Sequence, residues 1–273
     1  GWDLELSWSD QINDFRYGVS FNLSDYRSKM GYMANRQKID DNKITEEGSY
    51  FNEWYGYKSM GIILNDAAML DENGNTIPVL TNNDKAGNIR YQDIDGDGKI
   101  TASADRVRLG NSLPEMQYCG SLWAEWKGLD FNLSFQGVGH QLAYWNWPGT
   151  PFNYQAYACP VNLIESHWSP TATDAENAKA KYPKLTTNSA NIYAKSDFYI
   201  FNGAYMRIKN ITLGYTLPSE FTKKFFVNKL RVYFSANDLP AFSKYPEGFD
   251  PEWGDRAKDL IMSSYIFGLN VSF

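Results

Sequence analysis

The pattern with the clearest chemical meaning is acidic. Asp93, Asp95 and Asp97 alternate with Ile94 and Gly96, and Gly98-Lys99-Ile100 follows. Carboxylates at positions one, three and five of a loop converge on a hard cation. Glycine at six permits the sharp turn, and the backbone carbonyl at seven, here that of Lys99, adds an oxygen. Position twelve should supply another carboxylate, but it is Ala104, with Asp105 one residue late. The spacing predicts a calcium loop on Asp93, Asp95, Asp97 and Lys99, with Asp105 drawn in by a bulge. The alternative is a solvated acidic turn.

Nothing else has the spacing of a reaction centre. His140 and His167 are not at metal-ligand separation, and Cys119 and Cys159 allow one bridge or two thiols. The strings HExxH, GxSxG and GxGxxG and a phosphate-binding loop are missing, so the chain reads as non-enzymatic. A second group is aromatic: Tyr144, Trp145, Trp147, Tyr154, Tyr157 and Trp168, interrupted by Pro148, Pro151 and Pro160. Such rings stack on sugar faces or pack a long loop against itself, and packing is the stronger expectation.

The elements that must position these groups are strands. Trp2, Leu4, Leu6 and Trp8 alternate with Asp3, Glu5, Ser7 and Ser9; Phe15, Tyr17, Val19, Phe21 and Leu23 alternate with Arg16, Gly18, Ser20, Asn22 and Ser24. Period two marks strands with one apolar and one polar face. The rhythm recurs to give seven predicted strands, at 1-9, 14-25, 116-127, 130-142, 203-217, 229-238 and 261-273. In 203-217, Met206 and Ile208 are out of phase with Ile211 and Leu213, which a bulge near Asn210 would explain, as would Arg207 and Lys209 lying above the apolar band. Asn22, Asn132, Asn210 and Asn270 each begin an Asn-x-Ser/Thr string, which the polar-apolar-polar rhythm generates by itself.

Short connections alternate with insertions at 26-115, 143-202 and 239-260. Short turns at one end and long loops at the other are the signature of an antiparallel transmembrane β-barrel. With the short turns periplasmic, Phe273 ends in the periplasm and the long loops are extracellular. Trp8, Phe15, Tyr17, Trp126, Phe131, Tyr215 and Phe273 gather near the short-turn ends, where amphipathic rings favour the headgroup level. The polar members Asp3, Glu5, Arg16, Ser20, Asn22, Glu125, Asn132, Gln136, Arg231 and Asn237 are then expected to face the lumen. The competing class is a soluble, secreted β-rich glycan-binding module with a calcium loop, its rings turned inward.

Composition agrees with an all-β reading. The 273 residues are 16% aromatic and 21% charged, with a net charge of −6. That excludes disorder as the main state and gives no electrostatic footprint for nucleic acid. No run approaches a membrane helix in length. The opening Gly1-Trp2-Asp3 already lies in patterned sequence, with no signal peptide read there. Seven antiparallel strands cannot close a barrel, since the first and last run in the same direction, so further strands are expected outside this chain.

Three stretches resemble one family. They are Tyr91-Gln92-Asp93-Ile94-Asp95-Gly96-Asp97-Gly98-Lys99-Ile100 with Asp105-Arg106 and Leu109-Gly110-Asn111; Gly203-Ala204-Tyr205-Met206-Arg207-Ile208-Lys209-Asn210-Ile211-Thr212-Leu213-Gly214-Tyr215; and Asn228-Lys229-Leu230-Arg231-Val232-Tyr233 leading to Phe249-Asp250-Pro251-Glu252. With the terminal Phe267-Gly268-Leu269-Asn270-Val271-Ser272-Phe273, their order and spacing resemble the C-terminal part of SusC/RagA-family TonB-dependent outer-membrane transporters. The resemblance implies about seven strands of a 22-stranded barrel, with the plug and the TonB-contacting segment outside this chain. It also implies a SusD-like surface lipoprotein as partner, an oligosaccharide or peptide as cargo, and the bacterial outer membrane as location.

Overall fold

The computed structural model describes residues 1–145, 161–186, 190–253 and 261–273. Seven long strands form one antiparallel sheet in chain order: β1 (Trp2–Ile12), β2 (Phe15–Asp25), β3 (Glu115–Trp126), β4 (Leu129–His140), β5 (Tyr205–Thr216), β6 (Lys229–Asn237) and β7 (Ser264–Ser272). These are the seven predicted strands, with ends moved by up to three residues. β1 runs on to Ile12 because the hairpin turn is only Asn13-Asp14, with Asn13 at φ 52°. Asparagine tolerates that left-handed geometry, which matches the twist of the flanking strands.

The register carries one face cleanly across the sheet. Trp8, Val19, Leu122, Leu133, Ile211, Ala236 and Tyr265 are successive cross-strand partners. The row nearest the turns of the first two hairpins is Ile12, Phe15, Trp126, Leu129, Tyr215, Val232 and Leu269, with the pair Leu230 and Val271 one step beyond it on β6 and β7. This apolar face stays open: Trp8 is 63% exposed and Leu269 64%. A soluble sandwich would cover it with a second sheet, and among the described residues nothing does. Asp10 is the one acid on this side between Trp8 and Ile12, and it accepts the backbone N–H of Gln11 at 2.7 Å.

The expected bulge is present. Ser134 pairs with Asn210 but Phe135 pairs with Ile208, leaving Lys209 as the extra residue. The slip returns Met206 and Ile208 to the apolar side and keeps Arg207 opposite Gln136.

The long insertions are folded rather than structureless. Segments Lys38–Asp40, Lys43–Thr45, Glu53–Tyr57 and Arg106–Gly110 make a four-stranded sheet, and Leu142–Tyr144 pairs with Ile200–Asn202. All three insertions share one core. The first supplies Trp54 and Tyr91, the second Tyr144, Trp145 and Tyr199, and the third Tyr245, against which Phe249 packs. Such a core buries enough apolar surface to hold short strands that could not stand alone.

Candidate functional site

The polar face of the sheet gathers the residues predicted to line a lumen. Asp3, Glu5, Arg16, Ser20, Asn22, Glu125, Asn132, Gln136, Arg231 and Asn237 all share it by register. Its middle row is Ser7, Ser20, Ser121, Ser134, Asn210, Asn237 and Ser264, one from each strand. Ser20 and Ser121 share a hydrogen bond of 2.8 Å, and Asn210 donates to Ser235 at 2.9 Å and to Asn237 at 2.7 Å. The residues of this row are uncharged and rich in hydroxyls and amides, and Lys209 beside them is paired with Asp238 and Glu252.

Ion pairs flank the band. Toward the turns, Arg16 faces Glu125, and the Arg231 guanidinium grips Asp130 by Nε at 2.9 Å and by a terminal nitrogen at 2.5 Å. Asp130 is on β4 and Arg231 on β6, so the pair reaches across β5 at Gly214. A Cβ there would run into both partners, which explains the glycine. Toward the loops, the Arg207 side chain is 2% exposed and grips both Asp250 oxygens at 2.6 and 2.5 Å, with its Nε 2.9 Å from Glu252. Gln136 donates to the other Glu252 oxygen at 2.7 Å. The Asp250-Pro251-Glu252 stretch is thereby pinned onto the polar face of β4 and β5.

Two large rings lie on this side: Tyr233, where the alternation of β6 puts it with Arg231 and Ser235, and Trp123, which the alternation of β3 left out. Each lies directly opposite a glycine, Gly18 and Gly268, over whose bare backbone the ring lies. Covering glycine with a cross-strand ring stabilises the pairing. The available signal was a glycine inside an otherwise regular strand.

The acidic loop is only partly as expected. The carboxylates of Asp93, Asp95 and Asp97 come within 4.8 Å of one another. Asp93 accepts the N–H of Gly96 at 2.7 Å and of Gly98 at 2.8 Å, and Asp97 accepts the N–H of Lys99 at 2.8 Å. These amides, that of Gly98 foremost, hold the Asp93 carboxyl below the usual carboxylate range. Asp105 corrects the sequence expectation, because it does not join the cluster. It is fully buried, and its two oxygens take the N–H groups of Ile94 at 2.7 Å and Thr101 at 2.6 Å. It staples the two ends of the loop instead of bulging in. As a donor set, three converging carboxylates suit a hard cation, with fewer protein ligands than a complete twelve-residue loop provides.

Of the loop aromatics, Tyr144, Trp145 and Trp168 are buried, Trp145 completely. Trp145 packs edge-on against Phe201 and Phe249, with centroids at 5.6 and 5.1 Å, and Trp168 donates to the Leu64 carbonyl at 2.8 Å. These three hold the loop unit together and offer no face to a sugar. Burial also pushes the Tyr91, Tyr144 and Tyr199 hydroxyls well above the ordinary phenol range. Trp147, Tyr154, Tyr157 and Cys159 lie outside the described residues, while Cys119 is a free thiol on β3.

No family model matches the chain. TonB-dependent receptor P3 of Formosa agariphila is 27% identical over 291 residues, covering 99% of this chain and 26% of that receptor. TonB-dependent receptor SusC of Bacteroides thetaiotaomicron is 24% identical over 255 residues, covering 92% of this chain and 22% of SusC. The chain thus spans about a quarter of the length of these curated relatives. In fold it is similar to the RagAB peptide transporter, with a TM-score of 0.68 at 22% identity over 99% of this chain and 28% of that one. The RagAB peptide importer in its closed-closed state gives 0.67 at 23% identity, over 99% of this chain and 29% of that one. A two-faced meander of seven strands, similar along nearly its whole length in sequence to part of TonB-dependent receptors such as SusC and in fold to part of the RagAB transporter, is what the comparisons find in this chain.

Proposed function

We propose that this chain is a wall sector and the extracellular loops of an outer-membrane transporter that draws oligosaccharides or peptides through its lumen. The observation that carries this reading is the two-faced sheet. An open apolar face of Trp, Leu, Val and Phe runs across all seven strands, backed by a hydrogen-bonded polar face. Lipid is the solvent that such an apolar face fits, and a wet lumen fits the other. In this reading the short turns and Phe273 are periplasmic and the folded insertions are extracellular. The plug and the segment that meets TonB belong to the rest of the receptor, and a SusD-like lipoprotein lids the loops. RagAB is named for peptides, and the uncharged serine-asparagine band suits hydroxyl-rich cargo as well, so both substrate classes remain in the proposal. The protein's part is passage and not bond chemistry.

β1 and β7 each pair on one side only among the described residues. Each unpaired backbone group in hydrocarbon costs several kcal/mol, and in water an apolar edge aggregates. Residues 1–273 expressed alone should therefore aggregate, and co-expression with the remaining barrel strands should rescue them into detergent-soluble form. A folded, monodisperse, detergent-free monomer would overturn the proposal.

The acidic loop is proposed to hold calcium, with Asp93, Asp95 and Asp97 as ligands. Calcium should protect residues 91–101 from proteolysis, and Asp93→Ala should abolish that protection while the barrel still inserts. Because amides hold the Asp93 carboxyl down, the loop's hydrogen bonds persist above the ordinary carboxylate pKa and are lost only as pH falls through the depressed value. Calcium-independent cleavage of the loop at neutral pH would remove the site.

A further inference from the structure

We propose that a phospholipid with an anionic headgroup seats at the base of β5–β7, its acyl chain in an apolar groove and its phosphate at Lys223 and Lys224. The proposal rests on the barrel reading above and adds a specific lipid site to it. The groove has a volume of about 620 Å³ on the apolar face and is walled by Leu213, Tyr215, Val232, Phe234, Phe267 and Leu269. These residues lie in the turn-proximal half of the strands, where β5 leads into the connection to β6.

That connection differs from the other two short turns. Ser219–Thr222 form one helical turn and Lys223–Phe225 a 3-10 turn, with Thr222 buried beneath. The rings of Phe221 and Phe225 pack at 5.5 Å, yet both remain half exposed or more, and Phe226 is 91% exposed. Phe226 also has φ 59°, in the left-handed region that a bulky side chain disfavours. A strained backbone that presents a ring to solvent contributes nothing to the fold by packing. The left-handed residue ends the 3-10 turn, its N–H donating to the Lys223 carbonyl, and in doing so holds the ring out to solvent.

Charge completes the site. Lys223 and Lys224 form no ion pair among the described residues, and Glu220 is the only acid in the connection. The β1–β2 turn carries Asp14, with Asp10 near the end of β1, and Lys127 of the β3–β4 turn lies 4.0 Å from Asp14. Lys223 and Lys224 stand in the connection that begins two residues after Tyr215, one of the groove's walls, and ends at β6, which supplies two more. Phe225 and Phe226 at the acyl boundary, with the lysines at phosphate level, is the arrangement by which amphipathic segments seat at anionic membrane surfaces. A periplasmic protein would not explain an apolar groove that opens onto the lipid side, so the occupant is a lipid.

The test uses the full-length receptor in nanodiscs of phosphatidylcholine doped with either phosphatidylglycerol or more phosphatidylcholine. Lipid retention after delipidation is read by mass spectrometry. The wild type should retain phosphatidylglycerol over phosphatidylcholine. Lys223→Glu with Lys224→Glu should reduce that preference about thirty-fold at low salt. Phe226→Gly supplies a second variant, because glycine accepts φ 59° and keeps the turn folded. It should leave the melting temperature in detergent unchanged or higher while weakening lipid retention. Equal retention of the two lipids by a properly inserted wild type overturns the lipid site alone. Loss of a bound periplasmic protein from the lysine variant, with lipid preference intact, also overturns it. Failure of the wild type to insert overturns the barrel reading and the site with it.

Discussion

Arg207→Ala should lower stability by about 3–5 kcal/mol, because it strands buried carboxylates. Asp250 is buried and Glu252 is largely so, and the guanidinium that neutralises both enters from β5 through a 2% exposed side chain. Removing the cation leaves Asp250 without the guanidinium nitrogen that meets both its oxygens, and Glu252 with only the Gln136 amide and the more distant Lys209, 3.6 Å away. The cost should appear twice. The detergent-solubilised receptor should melt at lower temperature, and limited proteolysis should cut within 239–253, since the Asp250-Pro251-Glu252 stretch is what ties this loop to the wall. Arg207→Lys should recover little, because one ammonium cannot meet Asp250, Glu252 and the Leu239 carbonyl at once, as the three nitrogens of the planar guanidinium do. Removing the charges together, as in Arg207→Met with Asp250→Leu and Glu252→Leu, should restore much of the loss. An unchanged melting temperature and cleavage pattern in Arg207→Ala would show that the loop is held by its aromatic core alone.

That network also marks where the sequence stops being legible. Arg207 and Asp250 are 43 residues apart, and no local period links them. What could be read was whatever alternation controls. Every long strand shows its two faces in its own residues, and even the slip at Lys209 was visible, because Met206 and Ile208 fall out of phase with Ile211. Three things required pairing information that a single strand lacks. Trp123 breaks the polar set of β3, and the room for its ring comes from Gly18 on the neighbouring strand. The insertions form strands of about three to five residues whose support is a core shared by three distant segments, so none shows a period by itself. Asp105 reads as a late calcium ligand by spacing, but two buried backbone amides compete for its oxygens, and in the fold they hold them.

Arginine placed at Val19, Leu133, Phe234 or Leu269 should cost about 2–4 kcal/mol where the position lies near the bilayer midplane, and less toward the interface. Val19 and Leu133 are the strongest cases. They stand in the same cross-strand row as Leu122 and Ile211, about halfway along their strands, with apolar neighbours on both sides. An arginine there can reach water only by snorkelling past several rows of apolar side chains. Leu269 lies opposite Val232, with only the Leu230–Val271 pair between it and the turn end of its strands, so its arginine has the shortest way to water and should be penalised least of the four. The opposite face sets the control. Asn132 is exposed on the polar side, so Asn132→Arg should be tolerated, and Ser134→Arg nearly so. Ser235 is a poor control although it shares that face. It is 7% exposed and is hydrogen-bonded to Asn210 at 2.9 Å and Thr212 at 2.9 Å, so arginine there disrupts packing regardless of the solvent outside. Folding into vesicles, measured as the denaturant midpoint for each variant, separates the two faces. A graded loss confined to the apolar rows fits a wall in lipid. Equal losses at Leu133 and Asn132 would mean that both faces meet the same medium, and the barrel reading would fall with its lumen.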